Sequence, residues 1–251
     1  MKAAKFLGII TGVMSDEMFN IVAQGAQELN INLPPVAKAA FRAYYDFLEK
    51  RGNDVNLTAI SGVENVARLH FLDSIALLKA VPFKNAKVID IGSGAGFPGV
   101  PIKIAEPSID LTLLDSTGKK VSFLSDLCEE LNIKAKCVNA RAEEAAHEQE
   151  MREKYDIVVS RAVARLNILY ELCLPFIKAG GLFIAMKGVE STGEITEAQN
   201  SVVKLGAKQQ DHFDYMVPGT DITHRAVIAR KTSKTPEIYP RRFSKIQKSP
   251  L

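Results

Sequence analysis

Residues 90–99, Asp90-Ile91-Gly92-Ser93-Gly94-Ala95-Gly96-Phe97-Pro98-Gly99, are the part of the chain best suited to hold a ligand. Gly92, Gly94 and Gly96 carry no side chain, so a ligand can lie against the backbone there. The string also stands where a helix would begin, and the first N–H groups of a helix have no partner within it. Farther along, Asp115 ends the apolar run Leu111-Thr112-Leu113-Leu114. Its carboxylate can accept hydrogen bonds from two ribose hydroxyls, or it can cap a helix starting near Ser116-Thr117. Arg141-Ala142-Glu143, Arg161 and Lys187 each follow or end a later apolar run.

Positioning these groups takes alternating strands and helices. Short β-branched runs at 87–91, 110–114, 134–138, 155–160 and 181–187 read as buried parallel strands. Helical spacing occupies 99–105, 119–131, 141–150, 166–177 and 194–205 between them. Such alternation means βαβ units. Runs at 207–216 and 223–230 are separated only by Val217-Pro218-Gly219-Thr220-Asp221, which is too short for a crossover helix and suits a hairpin. The expected fold is α/β and Rossmann-like: a seven-stranded, mostly parallel sheet with a terminal antiparallel hairpin. Before it, helical patterns at 36–51 and 63–78 make an N-terminal helical extension. The expected parts are a helical region over 1–84, the Rossmann-like domain over 85–231 and a basic tail over 232–251.

Both a dinucleotide and S-adenosylmethionine bind at such strand–turn–helix sites. Asp90, two residues before the first glycine, favours S-adenosylmethionine, because a carboxylate beside a pyrophosphate is repulsive and methyltransferases of this class use an acid there near the methionine end. Arg141-Ala142-Glu143 stands where such enzymes place a polar group beside the adenine, and the terminal hairpin matches their sheet. An NAD-dependent oxidoreductase is the more remote alternative.

The acceptor is constrained by what is missing. No Asn/Asp-Pro-Pro-aromatic string follows the fourth strand, as amino-group methylation of adenine or cytosine would need, and none of Cys128, Cys137 and Cys173 stands where a cytosine-C5 nucleophile would. Guanine N7 needs neither device, since its lone pair carries no proton and positioning with electrostatics suffices. Arg161 and Lys187, at the carboxyl ends of the fourth and fifth strands, are the expected active-site residues, against a surface ion pair as the other reading. A small molecule or protein acceptor stays open.

Bulk properties agree with a globular enzyme. The chain has 251 residues, 47% of them hydrophobic, and a net charge of +3. Residues 225–251 carry eight Lys and Arg against the single acid Glu237, which makes either a phosphate-attracting patch or a solvated tail. Three widely spaced cysteines without a CxxC pair suit a reducing compartment and neither a disulfide framework nor a metal site. Near the start, Lys2 and Lys5 precede a short apolar run broken by Gly8 and Gly12 and followed by Asp16-Glu17. It reads as the N-terminal extension of a cytoplasmic protein rather than a signal peptide. No run reaches the roughly 18–20 apolar residues of a membrane span.

Several strings together resemble the small-subunit ribosomal RNA methyltransferase G family, also called glucose-inhibited division protein B. They are Asn56-Leu57-Thr58, His70-Phe71-Leu72-Asp73-Ser74, the turn with its continuation Val100-Pro101, Leu113-Leu114-Asp115-Ser116, Gly118-Lys119-Lys120, Arg141-Ala142-Glu143, Ser160-Arg161-Ala162, Lys187-Gly188 and Tyr239-Pro240-Arg241-Arg242. The resemblance implies methyl transfer from S-adenosylmethionine to N7 of a guanosine in the 530 loop of 16S rRNA, free or in the 30S particle. It implies cofactor contacts at Gly92, Phe97, Ala142, Glu143 and Arg161, with Asp115 on the ribose. Lys119, Arg141, Arg161 and Lys187 match basic positions facing RNA or the methyl site, His70 and Asp73 would help close the pocket, and Arg241 and Arg242 are counted with the RNA-facing residues. No metal is implied. The oligomeric state is not given by the sequence, and a monomer is the working expectation. The chain departs from the family in an N-terminus longer than in compact members and in having no Trp.

Overall fold

The structure, a computed structural model, describes residues 2–51, 62–161 and 164–251, with side chains from Met14 onward. Asn56-Leu57-Thr58 and Ala162 lie outside the described residues. Five strands run parallel: β1 (Lys87–Ile91), β2 (Asp110–Asp115), β3 (Ala135–Asn139), β4 (Tyr155–Arg161) and β5 (Ile177–Gly188), in the order β3-β2-β1-β4-β5. The order reverses at β1, which lies between β2 and β4, and ligands bind outside the carboxyl ends of strands at such a switch point.

The antiparallel end departs from the seven-strand expectation. The run at 207–216 forms two strands, β6 (Ala207–Gln209) and β7 (Phe213–Met216), and both pair with β8 (Thr223–Lys231), which itself lies against β5. Gln209 opposes Ala229 and Phe213 opposes Ala226, so four steps on one strand face three on the other. The extra residue makes a bulge that splits the strand. β5 starts at Ile177, before the expected 181. Tyr155 opposes Ile177 but Ile157 opposes Leu182, and Gly180, at φ 85°, lies within the slip.

The helices are α1 (Lys2–Glu28), α2 (Ala37–Arg51), α3 (Val63–Val66), α4 (Asp73–Ile75), α5 (Gly99–Ala105), α6 (Gly118–Glu130), α7 (Ala142–Ala145), α8 (Leu166–Cys173), α9 (Thr192–Glu197), α10 (Gln199–Lys204) and α11 (Phe243–Lys248). A π-helical turn, Ala67–Leu72, joins α3 to α4. The helix expected over 141–150 is only the four residues of α7, and the one expected over 194–205 breaks at Ala198. The one expected over 166–177 stops at Cys173, where Pro175 lacks the N–H to continue it.

Each central strand is apolar on both faces, as a covered parallel sheet requires. Val88, Ile157, Val159, Leu182 and Ile184 face a core shared with Phe41, Tyr44 and Phe71 of the N-terminal helical region. Ile89, Val158, Phe183, Ala185 and Val227 face the other, with Leu169, Tyr170 and Ile246. The N-terminal helices thus complete one side of the sheet. Among the described residues no helix is long and apolar enough to cross a membrane.

The basic tail is folded against the second core rather than solvated throughout, with Arg230, Lys234, Arg242, Lys245 and Lys248 left exposed. The Arg152 guanidinium donates to the carbonyls of Ala146, Thr235 and Tyr239. Lys231 Nζ is buried and donates to Leu174 O and Thr235 Oγ1. Arg241 holds the fully buried Glu171 through its backbone N–H, Nε and Nη2, at 2.8, 2.8 and 2.6 Å. Removing one partner of such a pair strands a charge in the core. Arg241→Ala should therefore lower stability by about 3–5 kcal/mol, read as a fall in the urea midpoint without a change in slope.

Candidate active site

The glycine turn is fastened from within. The N–H groups of Gly92 and Ser93 both donate to Leu114 O at the end of β2, and those of Gly96 and Phe97 donate to Ser93 O. Gly92, Gly94 and Gly96 have φ of 75°, 57° and 103°, a region closed to most side chains. Their surroundings differ. A Cβ on Gly94 would meet only Gly92 O, at 3.9 Å, whereas one on Gly96 would come within 2.7 Å of Tyr44 Oη. Gly96 is therefore small to admit Tyr44, whose hydroxyl donates to Ala95 O at 2.6 Å, and Gly94 keeps space open beside the backbone.

Asp90 plays a different part from the expected direct contact. It is fully buried, it lines neither of the two cavities described below, and its Oδ2 accepts from Gly99 N–H at 2.8 Å at the start of α5. The first N–H of that helix is thereby taken by Asp90. No donor reaches Oδ1. Burial, helped weakly by the Asp115 charge, outweighs the Gly99 hydrogen bond and the Arg161 charge and pushes the carboxyl up to about 7.

Asp115 caps a helix and also lines a cavity. Oδ1 accepts from Thr117 N–H at 2.9 Å, which caps the start of α6, and Oδ2 accepts from Gly94 N–H at 3.1 Å. Each oxygen has a second lone pair. Asp115 lines a cavity of about 310 Å³ at the carboxyl ends of β1, β2 and β4. Gly92, Ala142 and Glu143 from the expected set share that cavity, as do Arg141 and Arg161. Lys120 lines it too, while the neighbouring Lys119 is exposed at the helix start. Leu172 and Phe243 complete an apolar wall that no sequence signal announced.

This cavity fits the adenosine half of S-adenosylmethionine. A carboxylate with free lone pairs suits the ribose diol, an apolar wall suits the base, and Arg141–Glu143 offers a polar edge. Glu143 is buried and paired with Arg141, whose guanidinium lies 4.8 Å from the Phe243 ring centre.

A second cavity, about 520 Å³, is lined by Leu69, His70, Asp73, Arg161, Lys187 and His224, among others. Arg161 stands on the walls of both. Its Nη1 donates to Leu69 O at 3.2 Å, from the π-helical turn, and its Nη2 to His70 Nδ1 at 2.9 Å. Because arginine only donates, His70 Nδ1 carries no proton. Burial, and secondarily the Arg161 charge, pull the imidazole down to about 3, so the ring is neutral. It stacks 4.4 Å from Phe97, which also has Tyr44 at 5.3 Å, Phe71 at 5.8 Å and the Arg161 guanidinium at 4.9 Å. Phe97 is thus buried among aromatic groups and its ring is on neither cavity wall.

Asp73 is a hub rather than an open contact. It accepts from Tyr215 Oη at 2.7 Å and His224 Nδ1 at 2.8 Å, with Arg161 Nη1 at 3.6 Å. The bond to Asp73 raises the His224 imidazole above its usual value. Lys187 Nζ donates to Ala164 O and to Glu194 at 2.7 and 2.8 Å. Of the residues expected to face RNA, Arg241 is consumed by Glu171, and Arg242 is exposed at the start of α11. His224, 151 residues from Asp73, was missed because only the sheet pairing of β8 with β5 brings it there. Cys128, Cys137 and Cys173 are free thiols, two buried and one half-buried. No group of three or more potential metal ligands occurs among the described residues.

The pH dependence of Asp90 follows from its environment. A carboxyl whose value is raised on folding stabilises fully below its unfolded value near 4 and loses that contribution as pH rises through about 7. Without ligand, the stability difference between Asp90→Asn and the parent chain should therefore grow in favour of the variant by on the order of 4 kcal/mol across that interval. Urea unfolding at a series of pH values checks it, and a flat difference contradicts the burial argument.

Comparisons with known proteins agree with this geometry. The family described as GidB, rRNA small subunit methyltransferase G, matches residues 37–217. A protein named ribosomal RNA small subunit methyltransferase G from Clostridium botulinum (strain Loch Maree / Type A3) is 44% identical over 237 residues, covering 94% of this chain and 99% of its own. One of the same name from Alkaliphilus oremlandii (strain OhILAs) is 42% identical with the same coverage. Among solved structures, an O-methyltransferase from Bacillus cereus in complex with SAH superposes with a TM-score of 0.57 at 14% identity, over 76% of this chain and 90% of that one. That likeness speaks for the fold alone. With the glycine turn, the Asp115 carboxylate beside it and two adjoining cavities in place, and relatives this similar over nearly their whole length, the chain belongs to the GidB family of rRNA small subunit methyltransferases G.

Proposed function

We propose that this enzyme transfers a methyl group from S-adenosylmethionine to N7 of a guanosine in the 530 loop of 16S rRNA, taken as free rRNA or within the 30S particle. The reading includes action as a monomer in the cytoplasm. The observation that carries the transfer is that two cavities meet at Arg161. One fits adenosine and the other has room for a purine. Family membership supports rRNA and guanine N7 as the target.

Bound in the first cavity, the cofactor supplies an electrophilic methyl on a sulfonium centre. Asp115 holds the ribose, Arg141 and Glu143 meet the base, and Gly92 and Gly94 give the backbone clearance. Arg161 marks the junction where the methyl must cross. The guanine N7 lone pair needs no base, and the groups around the second cavity are arranged accordingly. His70 is neutral with Nδ1 already accepting from Arg161, and Asp73 already accepts two hydrogen bonds. Lys187 is paired with Glu194 and faces the same cavity, where a cation can hold phosphate. Exposed Lys119 and Arg242, together with Arg141 at the cavity wall, extend that attraction outward.

Labelled S-adenosylmethionine and 16S rRNA or 30S particles from a strain lacking the modification provide the test. Label should appear as 7-methylguanosine in the 530 loop. Arg161→Ala should lower kcat by at least about 100-fold while the rRNA is still bound. Label elsewhere in the rRNA, or none, rejects the guanosine assignment.

A further inference from the structure

Phe243 lies on the wall of the cofactor cavity although it belongs to the last nine residues of the chain and falls outside the residues 37–217 that the family match covers. Apart from Leu172 of α8, the other walls come from strand ends and the turns and helix starts that follow them. Phe243 arrives instead on the C-terminal segment, which crosses the second core and is fastened at several points before it. Arg152 and His147 bond to the carbonyls of Thr235, Tyr239 and Pro240. Two residues ahead of Phe243, Arg241 is locked to the buried Glu171. After it, Ile246 is fully buried. A segment anchored on both sides of one residue gives that residue a fixed position, and fixed positions are what binding sites need.

Which part of the cofactor meets Phe243 follows from the ends of the cavity. Asp115 sets the ribose at the end of β2. The methyl must reach Arg161, the residue shared with the acceptor cavity, so the methionine half runs toward Arg161. The end that remains for the adenine is where Arg141, Ala142, Glu143 and Phe243 lie together. The Arg141 guanidinium over the Phe243 ring fixes the ring's orientation through a cation–π contact. An aromatic ring beside a polar edge matches the flat apolar faces and the hydrogen-bonding edge of adenine.

We propose that Phe243 is a cofactor-binding residue that closes the adenine end of the cavity, and that the Glu171–Arg241 pair is the positioning clamp that delivers it. This rests on the reading of the cavity as the S-adenosylmethionine site. It makes the C-terminal segment part of the cofactor site.

Calorimetric titration of the full-length protein with S-adenosylhomocysteine and, separately, with adenosine tests the proposal. Phe243→Ala should weaken both ligands by a common factor on the order of ten-fold, because the lost contact is to the base they share. Phe243→Tyr, which keeps the ring, should retain the parent affinity. Phe243→Leu keeps apolar volume for the core and loses only the flat ring, so it should weaken adenosine even if the alanine variant unfolds. Thermal melting reports folding independently. Parent-like affinity of folded Phe243→Ala or Phe243→Leu for both ligands overturns the proposal. A parent protein that binds neither ligand overturns the reading of the cavity instead.

Discussion

The Arg161 guanidinium is the charge around which this site is built. It ends β4 at the sheet's switch point and is mostly withdrawn from solvent, its side chain 18% exposed. A charge so placed must find partners. They come from three directions: the Leu69 carbonyl and the His70 ring from the π-helical turn, Asp73 from α4, and the Phe97 face from the glycine turn. One residue thereby ties the strand end, the cofactor turn and the N-terminal helices into a single assembly.

This tie explains why the N-terminal helices are more than an appendage. A π-helical turn is rarely adopted without a reason, and here it presents Leu69 O and His70 to Arg161. Tyr44 from α2 bonds to Ala95 and stacks on Phe97, which in turn carries His70. Gly96 has to be glycine for that stack to reach the turn. The turn therefore faces the first cavity on one side and a packed aromatic cluster on the other, and its sequence answers to both demands.

Features encoded over a few neighbouring residues were legible before the structure. The alternation of strands and helices pointed to the parallel sheet, and the spacing of Gly92, Gly94, Gly96 and Asp115 pointed to a tight turn with a carboxylate beside it. Features that depend on distant pairing were not. His224 meets Asp73 only because β8 inserts beside β5, and Phe243 reaches the cavity only because Glu171 holds Arg241. Charge counting misread Arg241 for the same reason: it looks free in sequence, and its partner lies 70 residues away. Asp90 sat in the right place, yet the sequence did not reveal that its carboxylate would turn inward to Gly99.

The arrangement of charge also suits the chemistry. Methyl transfer from a sulfonium to a neutral nitrogen moves one positive charge from sulfur to purine and creates or consumes none. A site for such a reaction gains from a field that stays fixed while the charge moves, because preorganised groups need not reorient in the transition state. Arg161, Asp73 and His224 are held to one another by hydrogen bonds or close ion pairing, and His70 is kept neutral beside them. The cation at the junction is offset by the Asp73 carboxylate 3.6 Å away, so the arginine can position groups on both sides without opposing the cation formed on the purine. A protonated His70 would add an uncompensated charge at that junction. Burial against Phe97 is what prevents it, and so the aromatic cluster that supports the turn also sets the electrostatics of the transfer.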